Sequence, residues 1–233
     1  MRTIGVIGGM SWESSALYYQ WINRGVRDRC GPLHSARLLL DSLDFSQIAH
    51  WQREGDWDAA GEALAASARR LEAGGAECIV LATNTMHKVA AAITVATDLP
   101  FLHIADPTGA AIRRQGMDNV LLLGTAFTMN EDFYRSRLRE KHGVHCLLPG
   151  EQDRAQVHRI IYEELCAGVT TETSRDTYRR IVAAAQAEGA QGVILGCTEI
   201  GLLLRQDDSP LPLFDTAALH AQAAVEFALG DVA

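Results

Sequence analysis

Short, dense apolar runs recur along the chain, and segments of helical period separate them. Thr3, Ile4, Gly5, Val6 and Ile7 form the first run. Residues 36–40, 101–104, 119–125 and 145–148, and the stretches leading into Thr83 and Cys197, form the others. Runs of this length without polar alternation, closed by glycine or a small polar residue, read as strands buried on both faces. Between two of them, residues 58–71 carry Ala60, Leu64, Ala68 and Leu71 on one helical stripe, and Gly74 and Gly75 end it. An earlier helix starts at Ser11, an N-cap candidate with Ser14 three residues on, and runs through Tyr18, Ile22 and Val26. Further helices are predicted over 85–93, 107–115, 131–141, 156–165, 174–187 and 217–229. Strands joined by crossovers of helical length predict an α/β protein with parallel sheets covered on both sides. Residues 41–57, with Phe45, Trp51, Gln52, Arg53 and Trp57, have no clean period and are expected to form either a lid or binding loop or a packed irregular connection. Pro210 and Pro212 bracket an extended piece running into Phe214, Asp215 and Thr216.

The pattern occurs twice. The residues from Ala76 through Thr85 align with those from Ala190 through Glu199, so Thr83 falls on Cys197. The strand ending in Gly8 and Gly9 matches the one ending in Gly124 and Thr125. Gly8 to Thr83 and Gly124 to Cys197 span almost the same length of chain, which marks an internal duplication. Two pseudo-symmetric Rossmann-like lobes are therefore expected. One comprises residues 1–104 plus 213–233, and the other residues 105–212. In open α/β sheets ligands bind beyond the carboxyl ends of strands. Thr83 and Cys197 stand at two such ends, so the active site is expected in a cleft between the lobes.

Composition narrows the function. With 48% hydrophobic and 21% charged residues the chain is an ordinary globular protein. The net charge of −8 and the lack of a basic run exclude nucleic acid as an expected partner. No apolar run is long enough for a membrane span and no signal-peptide pattern opens the chain, so a soluble, cytoplasmic protein is expected. Lys88 and Lys141 are the only lysines, which leaves few candidates for a Schiff base with pyridoxal phosphate. The 5 cysteines are odd in number and lack a CxxC, and the His142, His145 and Cys146 group has no spaced second pair, so neither a disulfide framework nor a metal site is expected. The glycines after the first strand follow GxxGG rather than GxGxxG, which suits a carboxylate near the turn better than a dinucleotide.

Two proton-transfer groups on opposite sides of a small ligand suit inversion of a stereocentre. A thiol serves as base if a helix N-terminus lowers its pKa, and Cys197, followed by Thr198 and Glu199, is expected at such a position. A threonine hydroxyl is a far poorer base, yet it can deliver a proton to a carbanion.

The segments GGMSWES near the start, ATNTMH at 82–87 and GCTEIGLL at 196–203 resemble the aspartate/glutamate racemase family, which works without pyridoxal phosphate. The resemblance spans the whole chain, including its repeat. It implies two related α/β lobes, each supplying one catalytic residue. In this family these are cysteines, in C-N-T and G-C-T-E motifs. Here the second is Cys197, whereas the first position holds Thr83, as in a bacterial subgroup described as L-aspartate/glutamate-specific. By position the resemblance assigns Asn84, Thr85, Thr198 and Glu199 to the ammonium and α-carboxylate of an amino acid. Gln52 reaches in from the 41–57 loop and Met10 lines the floor. Several members carry a lysine before a glycine, where it holds a substrate carboxylate, but here Cys166 stands at that place, so aspartate, glutamate and a neutral amino acid such as homoserine all stay open. The expectation is a cofactor-free, metal-free racemase of L- and D-aspartate or glutamate, with a small amino-acid substrate and a second copy of the chain as partners. The alternatives are a non-catalytic amino-acid-binding protein and a sibling isomerase or decarboxylase of a dicarboxylic acid.

Overall fold

A computed structural model describes residues 1–230. Its strands are β1 (Ile4–Gly8), β2 (Leu38–Ser42), β3 (Cys78–Leu81), β4 (Phe101–Leu102), β5 (Asn119–Gly124), β6 (His145–Leu147), β7 (Val193–Gly196) and β8 (Leu213–Asp215). They form two four-stranded parallel sheets ordered β2-β1-β3-β4 and β6-β5-β7-β8. The orders are the same once the first four strands are matched to the last four, so the duplication read from the sequence is a duplication of topology. The central strands β1, β3 and β7 are buried along their whole length, whereas edge strands β2 and β6 are only partly so. That is why the central strands read as unbroken apolar runs.

The chain divides into two compact units, Met1–His103 with the segment from His220 onward, and Ile104–Leu219. Residues 213–219 therefore belong to the second unit and not to the first lobe, as does Ile104. The reason is that β8 pairs with β7, Ile194 opposite Phe214, in the place β4 takes beside β3. Residues 231–233 lie outside the described residues.

In the first unit α1 (Trp12–Cys30) follows β1, and Ser11 caps it as expected, its side chain accepting from Ser14 N–H. Ser15 ties the turn before it: its Oγ accepts Gly9 N–H at 2.8 Å and donates to Ser11 O at 2.9 Å. The stretch expected as an irregular loop is instead helical, α2 (Phe45–Glu54) between the cap Asp44 and the left-handed Gly55. Ile48 is buried and Phe45 and Trp51 pack against the same core, a short apolar face that the buried Gln52 interrupts. Next comes α3 (Trp57–Ala73), whose Ala60, Leu64, Ala68 and Leu71 pack with Ile7, Ile79 and Leu81. The helix expected over 85–93 is a 3₁₀ turn, Thr85–Val89, followed by α4 (Ala91–Ala96).

The second unit begins with α5 (Ala105–Arg114). Pro107 is accommodated in its first turn, where no N–H is needed. After β5 come α6 (Ala126–Asn130), which the sequence did not announce, and α7 (Asp132–His142). Then follow α8 (Glu151–Glu163), a 3₁₀ turn Leu165–Ala167, α9 (Glu172–Ala187), the single-turn α10 (Ile200–Leu203) and α11 (Thr216–Leu229). Leu121 and Leu123 face a core with α8 and α9, while Val120 and Leu122 face another with α5 and α7. This is strand alternation with both faces apolar. No helix among the described residues is long and apolar enough to cross a membrane.

The order β2-β1-β3-β4 reverses direction between β1 and β3, so a crevice opens beyond their carboxyl ends, and the same holds for β5 and β7. Gly9 makes the first of these turns at φ +90, and a Cβ there would run into the Leu43 backbone. Gly9→Ala is expected to cost at least about 1–3 kcal/mol, the range for a strained backbone conformation. Thermal or urea unfolding checks it; an unchanged midpoint would contradict this account of the turn.

Candidate active site

In the first unit Thr83 stands just past β3. Ala82 N–H bonds Ile7 O at 2.9 Å, and Thr83, half-buried, follows where the ladder ends. Asn84 and Thr85 are buried at the start of the 3₁₀ turn. Gln52, on α2, points its amide at Met86 Sδ, 3.1 Å away. Met10, directly after the Gly8 and Gly9 turn, packs in the same cluster as Met86. Gln52 thus meets the residue that follows Thr85, and Met10 belongs to the same core cluster.

Behind this turn lies a group the sequence reading did not assemble. His87 Nδ1 donates to Thr83 O at 2.7 Å. Its ring centroid is 4.5 Å from that of His103 and 6.1 Å from that of His220. His220 Nε2 donates to Leu102 O at 2.6 Å, and its Nδ1 meets Tyr18 Oη at 3.0 Å. A carbonyl only accepts, so Nε2 carries the proton and, in the neutral ring, Nδ1 accepts from the phenol. His87 thus holds the carbonyl of Thr83, and the other two histidine rings pack about His87. Residues 18, 87, 103 and 220 lie far apart in the chain, and only His87, four residues after Thr83, carried any local signal.

In the second unit Cys197 follows β7, packed against a core that includes Leu165 and Ile200. Its register is that of Thr83, because Gly124 pairs with Gly196 as Ile7 pairs with Leu81 one step earlier. Cys197 Sγ donates to Glu199 Oε2 at 2.9 Å. The helix after it, α10, is a single turn. The expected lowering of the thiol pKa is therefore reversed. Burial first, and then the charge of Glu199 and its hydrogen bond, push the Cys197 thiol well above its ordinary value. Glu199, assigned by resemblance to the substrate, spends a carboxylate oxygen on Cys197. Thr198 is buried beside them.

Two tyrosines complete this wall. Burial raises Tyr162 to about 12, and Cys197, Cys166 and Glu199 add to the rise. Burial also raises Tyr178, with Cys197 the next cause. His158, Tyr162 and Cys166 succeed one another at four-residue spacing along α8 and the 3₁₀ turn, a signal that was available in the sequence. Of the other cysteines, burial drives Cys78 and Cys146 each to about 12, as fits inert core thiols. Among the described residues no group of three His, Cys, Asp or Glu is placed to hold a metal ion.

Two sheets of one order, each followed by a proton-bearing side chain at an equivalent register, define a duplicated α/β protein. Residues 7–224 match the sequence profile of the Asp/Glu/Hydantoin racemase family, and the chain belongs to that family. A Yersinia pestis protein assigned to the Asp/Glu racemases is 52% identical over 98% of this chain and 100% of its own, with a TM-score of 0.94. An aspartate racemase homologue from Pyrococcus horikoshii OT3 is 33% identical over 98% of this chain and 100% of its own, with a TM-score of 0.86. Among curated proteins, the broad specificity amino-acid racemase RacX of Bacillus subtilis is 25% identical over 95% of this chain and 96% of its own. The protein is an isomerase.

Proposed function

We propose that the chain is a cofactor-independent amino-acid racemase in which Cys197 and Thr83 exchange protons with opposite faces of one α-carbon. The observation that carries this reading is the equivalence of the two residues. Each stands just past the strand that neighbours the first strand of its sheet, in sheets of one topology. Cys197 rests protonated, its proton directed at Glu199. To act as base it passes that proton to the Glu199 carboxylate, and the thiolate then takes the α-hydrogen. The Thr83 hydroxyl delivers a proton to the opposite face of the carbanion. Asn84, Thr85 and Thr198 hold the ammonium and α-carboxylate, with Gln52 and Met10 behind the first strand end.

The substrate class is aspartate, glutamate or a related amino acid. One observation favours a neutral side chain. Beside Cys197 stands the Glu199 carboxylate, which accepts the thiol proton at 2.9 Å and whose charge, after burial, raises the thiol pKa. A second substrate carboxylate against this wall meets like charge, whereas a hydroxyl side chain such as homoserine's does not. The broad specificity in the name of the RacX relative agrees with this.

Chiral separation of products from L-aspartate, L-glutamate and L-homoserine tests the activity. Inversion is expected without added pyridoxal phosphate and after treatment with a chelator. Loss of activity on chelation, a bound chromophore, or no inversion of any amino acid would contradict the reading.

The Cys197 and Glu199 pair also has a pH signature. With the thiol raised well above its ordinary value, exchange by Cys197 as base is expected to keep climbing into the alkaline range. Glu199→Gln removes the carboxylate charge, so the thiol ionises at lower pH and the alkaline limb moves down. A limb that stays put in Glu199→Gln would show that Glu199 does not hold the thiol proton.

A further inference from the structure

The second unit contains a polar cavity of about 530 Å³ that the reaction above does not use. Asn130 of α6, Arg135 of α7, Leu148, and Glu151, Arg154 and His158 of α8 line it. Two arginine side chains therefore line one space, and neither can shed its proton. Other arginines of this unit are tied to carboxylates: Arg137 to Asp106 at 2.6 Å, Arg159 to Glu163 at 3.2 Å and Arg180 to Asp153 at 2.6 Å. The Arg154 guanidinium has no ion pair or hydrogen bond among the described residues, although Glu151 precedes it by three positions on the same helix. Arg135 reaches Asp132 through Nη2 at 3.5 Å, but its Nε is buried with no hydrogen-bond partner. His158 accepts Ala126 N–H on Nδ1 at 3.2 Å, so the proton of its neutral ring sits on Nε2. Burial lowers its pKa, which favours that neutral form.

We propose that this cavity binds a small oxyanion, a carboxylate or phosphate group, through Arg154 and Arg135, with Asn130 and His158 as neutral donors. Forked guanidiniums match the oxygens of either group, and the charge-assisted bonds formed are stronger than neutral ones. The cavity adjoins the Cys197 wall without being part of it. The His158 ring lies 4.7 Å from that of Tyr162, which in turn lies within electrostatic reach of Cys197. The inference does not rest on the racemase reading, because it concerns binding alone.

Calorimetric titration of the full chain at low ionic strength, with inorganic phosphate and succinate in separate runs, tests it. Wild type is expected to bind at least one of them at millimolar concentration or below, and the tighter of the two identifies the group. Arg154→Gln is expected to weaken that binding about tenfold, the scale of one charge-assisted hydrogen bond. Arg154→Lys, which keeps the charge and loses the fork, is expected to fall between. Cys197→Ser is expected to titrate like wild type, which separates this cavity from the strand end where the substrate reacts. Absence of millimolar binding by either anion, equal affinity in wild type and Arg154→Gln, or loss of binding in Cys197→Ser would each overturn the proposal.

Discussion

Cys197→Ser is expected to lose α-proton exchange by about 10²–10⁴-fold, the contribution of a positioned general base, while the chain stays folded. The thiol sits at the end of β7, packed against the core, with its hydrogen bond directed to Glu199. A serine hydroxyl is smaller and can donate to the same carboxylate, so the change in stability is expected to be about 1 kcal/mol. The chemistry does not survive the exchange of sulfur for oxygen. The raised thiol still ionises far more readily than an alcohol, and only the ionised form takes a proton from carbon. Thermal melting followed by circular dichroism establishes the fold, and proton NMR in deuterated solvent follows exchange at the α-carbon. Most of the exchange retained in a folded variant would place the base elsewhere.

The second large effect is expected in the opposite direction. Thr83 holds the position equivalent to Cys197, yet its hydroxyl deprotonates carbon poorly. Wild type is therefore expected to exchange one enantiomer much faster than the other, and resemblance to the Thr/Cys subgroup makes the fast one L. The overall equilibrium is unaffected, so the asymmetry belongs to exchange rates and saturation, not to the final ratio. Thr83→Cys supplies a group whose pKa lies far closer to neutrality. It is expected to raise exchange of the slow enantiomer about 10-fold or more, the low side of what a positioned base contributes. The backbone at this position is held by His87 on its carbonyl and by the ladder bond of Ala82 just before it, neither of which involves the exchanged side chain. Separate measurements on L- and D-aspartate and on L- and D-glutamate check it. Equal rates for both enantiomers in wild type, or an unchanged preference in the variant, would show that Thr83 is not the opposing group.

Much of this arrangement was legible in the residues because burial on both faces of a parallel strand leaves an apolar run with an abrupt end. The runs closing at Thr83 and Cys197 are of that kind, and their equal offsets from Gly8 and Gly124 became equal registers beside β1 and β5. Where the signal failed, a particular side chain explains it. Helix α2 is only ten residues long and buries Gln52 beside Phe45, Ile48 and Trp51, so its short apolar face was passed over as a loop. Strand β8 went to the wrong lobe although the repeat held the answer, since Leu213 and Phe214 follow Cys197 as Phe101 and Leu102 follow Thr83. The sense of the thiol shift was not legible either. Spacing places Glu199 two residues from Cys197 but does not say that its carboxylate turns back onto the sulfur instead of outward to a ligand. The histidines behind Thr83 come from three separate parts of the chain, and only the fold brings them together.

The central claim is that this chain removes a proton from one face of an amino acid's α-carbon and returns one from solvent to the other. Its most direct test is the early time course of an L-amino acid in deuterium oxide, with both enantiomers separated and weighed by mass spectrometry. The account predicts that the D product carries one deuterium at the α-carbon from its first appearance, while the remaining L substrate is labelled more slowly. A D product that forms with its original hydrogen, or an amino acid that binds and gains no deuterium in either form, would contradict it.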